Sequence, residues 1–390
     1  TDLVVESTKS RINSSNLALV KVISKCFGPV LSAVMNGKLI WVCWTPDNSI
    51  LAFSAASFNL CIAILSVFKS IPFDFLNSET RYSIIALSKS SPPKCVLPLV
   101  DKTSNTPSPS SSIDTSKGIS IVMTNPDRAD IKSLNGASNT VNRGMPIIAL
   151  PTTAGTAAEV TINYVITDEE RKIKMVCVDP NDIPIVAIVD SELMASMPKS
   201  LAAATGMDAL THALEGYITK AHNEMSDMFH IKAIQLIVAN LAAAVNEKDK
   251  KAINIMGMAQ YIAGMGFSNV GLGICHSMAH QLGAVYDTPH GIANAMLLPT
   301  VLEYNGEVCY ERYQDILKAL GYPAEKYTKE ETIKTLVEIV KDLAEEVGIT
   351  QTISDYGARL EDLEMLSKKA MEDPCKPGNH ATRSEERRVG

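Results

Sequence analysis

Five residues in the second half of the chain have the types and the spacing of metal ligands. Asp208 and His212 are four positions apart, and His276 and His280 repeat that spacing. Side chains at positions i and i+4 share one face of a helix, so each pair can approach a single ion. His290 follows in a Thr-Pro-His-Gly sequence that suits the start of a helix. One carboxylate with several imidazoles favours a divalent first-row metal, which can polarise a substrate oxygen.

Each of these patterns also has a structural interpretation. A single Asp-x-x-x-His pair is often a surface pair, and a single histidine on an apolar helix face is often a packed core residue. His222, His230 and His380 lack a partner at helical spacing, and we assign them structural or solvent-exposed roles. Cys275 is a nucleophile by type, but its apolar neighbours favour a small packed helix residue.

A strand, a loop and the start of a helix are predicted at residues 145–159. The apolar run MPIIAL predicts a buried strand, and the segment PTTAGTAAE follows it. The hydroxyl groups of Thr152, Thr153 and Thr156 suit a phosphate at a helix N-terminus. Simple capping of the helix by threonine is the alternative, and the residues alone leave both open.

The remaining patterns predict an α/β segment followed by an all-helical domain. Residues 183–189 (IPIVAIV) predict a second buried strand. Apolar residues then recur at helical spacing in residues 201–219, 226–245, 250–265 and 330–346, and Gly348 ends the last helix.

The composition excludes several classes of protein. The 390 residues carry 36 Lys and Arg against 43 Asp and Glu, a net charge of −7, which argues against a nucleic-acid partner. The eight cysteines include no CxxC pair, and residue 1 does not begin a leader-like segment. We therefore expect a reducing, cytoplasmic location. The uncharged run 48–68 has the length of a membrane span, but it contains Ser49, Ser54, Ser57, Asn59 and Ser66, which favour a buried strand or helix and no membrane partner.

The first 120 residues differ in character from the rest. They carry 11 basic and 7 acidic residues, whereas the remainder carries 25 and 36. Residues 103–115 have the Ser, Pro and Thr content of a linker. Gly28, Gly37 and Gly118 are the only glycines in this part, so it has no glycine-rich loop to accommodate a dinucleotide phosphate.

The sequence blocks 151–159, 206–217 and 264–299 together resemble the iron-containing alcohol dehydrogenases, over about residues 112–379. The resemblance implies the dehydroquinate synthase-like architecture, in which an N-terminal α/β domain binds NAD and an all-helical domain binds the metal. We therefore expect residues 112–199 to complete an NAD-binding domain and residues 200–379 to form the metal-binding domain. Residues 1–111 replace the first half of the NAD domain, and residues 380–390 form a disordered tail.

The same resemblance implies the site residues and the cofactors. The metal, usually Fe²⁺ and in some members Zn²⁺, would be held by Asp208, His212, His276 and His290. His280 matches a histidine near the nicotinamide and is the candidate catalytic proton carrier. Residues matching positions beside the NAD cofactor are Thr152, Thr153, Thr156, Val165 and Lys174. Residues matching the walls of a small substrate pocket are Asn163, Phe267, Leu272 and Cys375. The implied reaction interconverts a small aldehyde and its alcohol.

The chain departs from the family where the phosphate loop should be. Ser108, Pro109 and Ser110 stand at the positions of the family's consecutive glycines. Proline fixes φ and lacks an N–H donor, so this segment is poorly suited to a diphosphate. This departure leaves two hypotheses. The chain is either a working NAD-linked reductase or a metal-binding helical domain with a defective cofactor domain. A membrane-tethered protein anchored through residues 48–68 is a third hypothesis, and a homodimer is the candidate assembly.

Overall fold

The computed structural model describes residues 112–168, 170–171 and 173–381 with their side chains, and the backbone of five strands between residues 30 and 100. The chain divides into two compact units, residues 1–104 with 145–147, and residues 105–144 with 148–390. The predicted membrane run 48–68, apart from the strand Ile50–Phe53, lies outside the described residues. So do Ser108, Pro109 and Ser110, most of the predicted linker, and the tail from residue 382.

The described strands of the first unit form two antiparallel groups. Strands β1 (Val30–Met35), β2 (Lys38–Trp44) and β3 (Ile50–Phe53) pair in the order β1-β2-β3. Strands β4 (Tyr82–Ala86) and β5 (Val96–Val100) pair with each other. Among the described strands of this unit, every pairing is antiparallel and none is the parallel pairing typical of a dinucleotide-binding domain.

The second unit begins with a helix packed on a small mixed sheet. Helix α1 (Ser112–Thr124) lies against strand β8 (Asn163–Asp168), which pairs antiparallel with β9 (Ile173–Val178). Strand β6 (Gly136–Ala137) pairs parallel with β9 on its other side. Buried Ile121, Tyr164 and Cys177 pack between helix and sheet. The fully buried Lys117 ammonium donates to the Thr161 carbonyl at 2.5 Å, which fixes α1 on the start of β8.

Two predicted strands are present but short. Strand β7 (Ile148–Ala149) lies inside the predicted strand 145–150 and pairs parallel with β10 (Val186–Ala187), inside the predicted strand 183–189.

The prediction that a helix begins within residues 151–159 is wrong. Residues 150–162 form turns and loop, and the next element is β8. Ala157 has φ of +53°, which an α-helix excludes, and a Cβ on Gly155 would lie 2.7 Å from Thr205 Cβ. The segment is therefore an irregular loop packed against a neighbouring helix. Because no helix begins there, its threonines neither bind a phosphate at a helix N-terminus nor cap a helix.

From residue 191 to residue 381 every described element is helical, in agreement with the predicted helical C-terminal half. After the single turn α2 (Ser191–Met194), the long helices are α3 (Lys199–Ile218), α4 (Glu224–Ala242), α5 (Lys250–Val270), α6 (Ile274–Tyr286), α7 (His290–Ala319), α8 (Lys329–Glu346) and α9 (Leu363–Glu372). They share one large apolar core, and α3 lies in contact with α4, α5 and α7.

Local sequence signals account for several helix ends. Asn223 and Thr328 cap α4 and α8 in capping boxes with Ser226 and Glu331, which satisfies amides that lack a partner within the helix. Gly348 follows α8 at φ +84°, a left-handed conformation that glycine adopts without strain.

One helix among the residues described with side chains, spanning Glu224–Glu247, has the length and apolar content of a membrane span. In the structure it contacts α3 and α5, and it buries Ala233, Ile234 and Leu241 in the shared core. This burial is what a core helix of a helical domain requires.

Candidate functional site

Three of the predicted ligands converge at the centre of the helical core. His276 Nε2 lies 3.8 Å and His290 Nε2 lies 3.5 Å from Asp208 Oδ1, and the three ligand atoms lie within 4.8 Å of one another. Helix α3 provides Asp208, α6 provides His276, and α7 begins at His290. Three separate helices thus bring one carboxylate and two imidazoles to a common point.

The fourth predicted ligand, His212, lies beside this cluster. Its Nδ1 is 3.9 Å from Asp208 Oδ2, one turn away on α3. Its ring stacks between those of Phe267 and His276, with centroids 4.3 Å and 4.4 Å away. His212 is therefore adjacent to the three-residue group without being one of its members.

The charges in the cluster suit a cation. Burial lowers the pKa of His276 well below its usual value and that of His290 to about 4, so both rings are neutral and carry a lone pair near pH 7. Burial alone raises the pKa of Asp208, but the surrounding histidine rings outweigh it and hold that pKa below its usual value.

The donor atoms also fit a metal ion. His212 Nδ1 and His276 Nε2 are buried without a hydrogen-bond partner among the described residues, although buried polar atoms are normally paired. One carboxylate with neutral imidazoles is a donor set that Fe²⁺ and Zn²⁺ both accept. The residues present therefore fit the implied metal.

Two polar side chains that the sequence analysis did not identify contact the cluster. Asn294 Nδ2 donates to Asp208 Oδ1 at 2.7 Å and lies 3.2 Å from His290 Nε2. Glu215 Oε2 lies 2.6 Å from His276 Nδ1. Burial raises the pKa of Glu215 to about 7, while backbone N–H donors of Cys275, His276 and Gly273 act in the opposite direction.

His280 has an acidic partner of its own. Its Nδ1 lies 2.9 Å from Asp373 Oδ2, and Gln281 Nε2 donates to the same oxygen at 3.4 Å. The Cys375 backbone N–H donates to the other carboxylate oxygen at 2.9 Å. The His280 ring stacks on His290 with centroids 5.3 Å apart, so this pair lies directly beside the proposed ligands.

A cavity of about 150 Å³ opens onto both groups of side chains. It lies among β8, β9 and helices α3, α6 and α7. All the predicted site residues except Thr152 and Thr153 line it: Thr156, Asn163, Val165, Lys174, Asp208, His212, Phe267, Leu272, His276, His280, His290 and Cys375. Thr152 and Thr153 are half-buried in the loop that precedes Thr156.

On the sheet side of the cavity, strand β9 contributes the basic side chain of Lys174. Its Nζ donates to Thr167 Oγ1 at 2.7 Å, across the antiparallel pair β8 and β9. Burial lowers the pKa of Lys174, and Asp287 acts in the opposite direction. Phe267 and Leu272, with the partly buried Cys375, form one apolar cluster on the opposite, helical side.

The histidines assigned to structural roles lie away from this cavity, whose lining includes none of them. His222 Nδ1 lies 3.5 Å from Asp227, and His380 lies near His222. His230 is fully buried. Cys275 is also fully buried, and burial raises the pKa of its thiol well above the usual value, as for a packed helix residue.

The chain matches two models of one protein family. The C-terminal model of the Fe-containing alcohol dehydrogenase family matches residues 202–389, and the iron-containing alcohol dehydrogenase model matches residues 110–191. The second match begins close to residue 112, where the resemblance was predicted to begin. The first match runs past residue 379, where it was predicted to end.

Individual relatives agree with the family models. Lactaldehyde reductase of Escherichia coli is 53% identical over 266 residues, which cover 68% of this chain and 69% of that protein. An alcohol dehydrogenase from Oenococcus oeni superposes with a TM-score of 0.68 at 40% identity, covering 71% of this chain and 72% of the other. Sulfoacetaldehyde reductase from Bifidobacterium kashiwanohense, solved with NAD⁺, superposes with a TM-score of 0.63 at 28% identity, covering 71% of each chain.

These matches confirm the predicted oxidoreductase class, and at the level of the family they confirm iron and NAD as cofactors. This chain belongs to the iron-containing alcohol dehydrogenase family.

Proposed function

We propose that this chain is a cytoplasmic, NAD-dependent reductase that interconverts lactaldehyde and 1,2-propanediol, with Fe²⁺ held by Asp208, His212, His276 and His290. The observation that supports this proposal most directly is the meeting of Asp208, His276 and His290 on the wall of one small cavity. The 53% identity to a lactaldehyde reductase supports the choice of substrate. Zn²⁺ is the alternative metal for the same donors.

When bound, the metal would supply Lewis acidity toward the carbonyl oxygen and the nicotinamide would supply a hydride. The chain contributes position and charge. Asp208 brings a negative charge to the site, and His276 and His290 bring neutral nitrogens. Because all three come from long packed helices, their relative positions are fixed before any ligand arrives.

His280 is the proposed proton carrier. Reduction of an aldehyde consumes one proton at the oxygen, and the reverse reaction releases it. With Nδ1 directed to Asp373, the His280 ring has Nε2 left to give or accept that proton. Asp373 acts through His280 as a positioning residue, because it fixes the ring and its tautomer.

The proposed cofactor side of the cavity is the wall formed by the loop and the small sheet. Thr156, Val165 and Lys174 lie on this wall, and Thr152 and Thr153 precede it in the same loop. Hydroxyl groups and a cationic side chain suit the phosphates and the amide of a dinucleotide. Asn163, at the start of β8, lies on the same wall and is proposed to contact the substrate.

The size of the cavity supports a small substrate. Phe267, Leu272 and Cys375 form an apolar cluster on one side, and the Phe267 ring stacks on His212. The cavity measures about 150 Å³, which supports a substrate of a few carbon atoms. Apolar walls with a few convergent polar groups are typical of enzyme sites for such molecules.

The test is oxidation of NADH with lactaldehyde, using the full chain loaded anaerobically with Fe²⁺. We expect turnover in the parent and in His222→Ala, whose histidine lies outside the cavity, and none in His276→Ala. One bound metal per chain in the parent, without turnover and without NADH binding, would instead support a metal-binding helical domain with a defective cofactor domain. Absence of metal from the parent would contradict both.

A further inference from the structure

The side chain of Glu215 joins two helices directly beneath the proposed metal site. Glu215 lies seven residues after Asp208 on α3 and is almost completely buried, with 1% of its surface exposed. We propose that Glu215 is a positioning residue for the metal, because its carboxylate holds His276 in the orientation and tautomer that a metal ligand needs. This inference rests on the proposed metal site.

Both oxygens of Glu215 are engaged by α6. Oε1 accepts the backbone N–H of Cys275 at 2.7 Å, and Oε2 accepts that of His276 at 3.3 Å. These amides are in the first turn of α6, where backbone N–H groups have no partner within the helix. A Cβ on Gly273 would lie 2.6 Å from Oε1, so the close approach of the carboxylate requires glycine there.

The same carboxylate binds the imidazole of the residue that it caps. Glu215 Oε2 lies 2.6 Å from His276 Nδ1. Metal-binding histidines almost always donate their other ring N–H to a carboxylate, a backbone carbonyl or water, and at this distance Glu215 Oε2 is the acceptor for His276 Nδ1–H. The proton then resides on Nδ1, and Nε2 presents its lone pair.

That nitrogen faces the proposed ion. His276 Nε2 lies 3.8 Å from Asp208 Oδ1 and has no hydrogen-bond partner among the described residues. Partners behind a metal-binding histidine set its orientation and its basicity in this way, and losing one typically costs 10–100-fold in metal affinity. Glu215 thus couples the start of α6 to the direction of one ligand.

Replacing the Glu215 carboxylate with an amide separates the capping of α6 from the contact with the His276 ring. Glu215→Gln keeps the size of the side chain but has one accepting oxygen and one donating NH₂ group. If the oxygen continues to cap Cys275, the NH₂ group faces His276 Nδ1 and favours the tautomer with its proton on Nε2. That tautomer has no lone pair for the metal.

The matched control is Glu159→Gln. Glu159 is equally buried, with 2% of its surface exposed, and accepts a hydrogen bond from Gln260 at 2.5 Å. It lies outside the cavity lining and is not among the proposed ligands. The two variants therefore make the same chemical change in two buried carboxylates, and only one of these contacts a proposed ligand.

The experiment is equilibrium titration of the metal-free full chain with Zn²⁺ against a chromogenic chelator, with thermal unfolding of each metal-free variant measured alongside. We expect the dissociation constant of Glu215→Gln to rise about 10–100-fold and that of Glu159→Gln to stay within about twofold of the parent. Should Glu215→Gln lose its cooperative unfolding transition, Glu215→Asp is titrated in its place. Its shorter carboxylate cannot reach both the helix amides and the ring, so the same rise is expected.

The possible results separate the two proposals. If the parent binds Zn²⁺ and the Glu215 variant binds it equally well, the positioning role is overturned and the metal site stands. An equal loss in Glu159→Gln also overturns it, because the effect then belongs to any buried carboxylate. If the parent binds no Zn²⁺, the metal site proposed above fails, and this inference fails with it.

Discussion

Asp373 Oδ2 lies 2.9 Å from His280 Nδ1, although the two residues are 93 positions apart in the chain. Asp373 directly follows α9, which packs on α6, and its other oxygen accepts the backbone N–H of Cys375. The end of α9 therefore fixes both the histidine and a residue of the cavity wall. The pair is buried, with 7% and 3% of the two side chains exposed, so water competes little for this bond.

Asp373→Asn is expected to lower kcat for aldehyde reduction about 10²-fold and to change KM much less. An asparagine can present its NH₂ group to Nδ1 and so favour the tautomer with the proton on Nε2, which interrupts proton transfer without enlarging the cavity. Steady-state kinetics of the Fe²⁺-loaded chain measure both constants. The control is Asp362→Asn, which removes a carboxylate bonded to Tyr286 at 2.7 Å, outside the cavity lining. Equal kcat values in the two variants would contradict the role of Asp373.

Gly291→Ala is expected to separate α7 from α3 at the proposed metal site. A Cβ at this position would lie 2.1 Å from the Ala204 carbonyl oxygen, next to His290. Backbone atoms cannot yield as a flexible side chain can, so the free energy of unfolding should fall by about 1–3 kcal/mol, with weaker Zn²⁺ binding. Gly118→Ala is the control, since its Cβ would meet only side chains at 3.4 Å. Denaturant unfolding and metal titration measure the two effects, and unchanged Zn²⁺ affinity in Gly291→Ala would refute the prediction.

Metal binding is expected to stabilise the helical core. At a free Zn²⁺ concentration of about 100 times the dissociation constant, the free energy of unfolding should rise by about 2.7 kcal/mol. Asp208→Asn should abolish this rise, because it removes the negative charge of the ligand group. Asp249→Asn, which alters the N-cap of α5 far along the chain from the ligands, should keep it. Thermal unfolding with and without Zn²⁺ or a chelator measures the rise, and an equal rise in both variants would exclude Asp208 as a ligand.

The helices that carry the candidate site were predictable because their signals are local. The spacing of Asp208 and His212, and of His276 and His280, is short-range information that survives in the folded helices. His290 begins α7, as the preceding proline suggested. Asn294 and Glu215 stand at i+4 from His290 and i+7 from Asp208, so the same periodicity could have identified both.

The parts that sequence reasoning missed depend on tertiary contacts. The pairing of Asp373 with His280 spans 93 positions and has no local signal. The helix predicted to begin within residues 151–159 is absent, because the small residues there serve close packing. Gly155 lies against Thr205, and Ala157 adopts a left-handed conformation. A run of Thr, Ala and Gly specifies neither choice by itself.

His230 is expected to make the stability of the helical core depend on pH. Its ring is fully buried, and neither nitrogen has a hydrogen-bond partner among the described residues. It fills a notch between two glycines, where a Cβ on Gly216 or Gly266 would lie 2.3 Å from Nε2. Burial, with a smaller effect from Arg312, lowers the pKa of His230 from 6.5 to about 3.

The lowered pKa of His230 sets the direction in which stability changes with pH. Between about pH 6.5 and pH 3 the unfolded chain binds a proton at His230 that the folded chain does not. The contribution of His230 to the free energy of unfolding is therefore complete above pH 6.5 and falls as the pH drops. His230→Gln has no titrating group and should lose less unfolding free energy between pH 7 and pH 5 than the parent. Denaturant unfolding at both values measures this difference, with His222→Gln, at a half-buried position, expected to behave as the parent does. If the parent and His230→Gln lose the same free energy over this interval, His230 is not the group responsible.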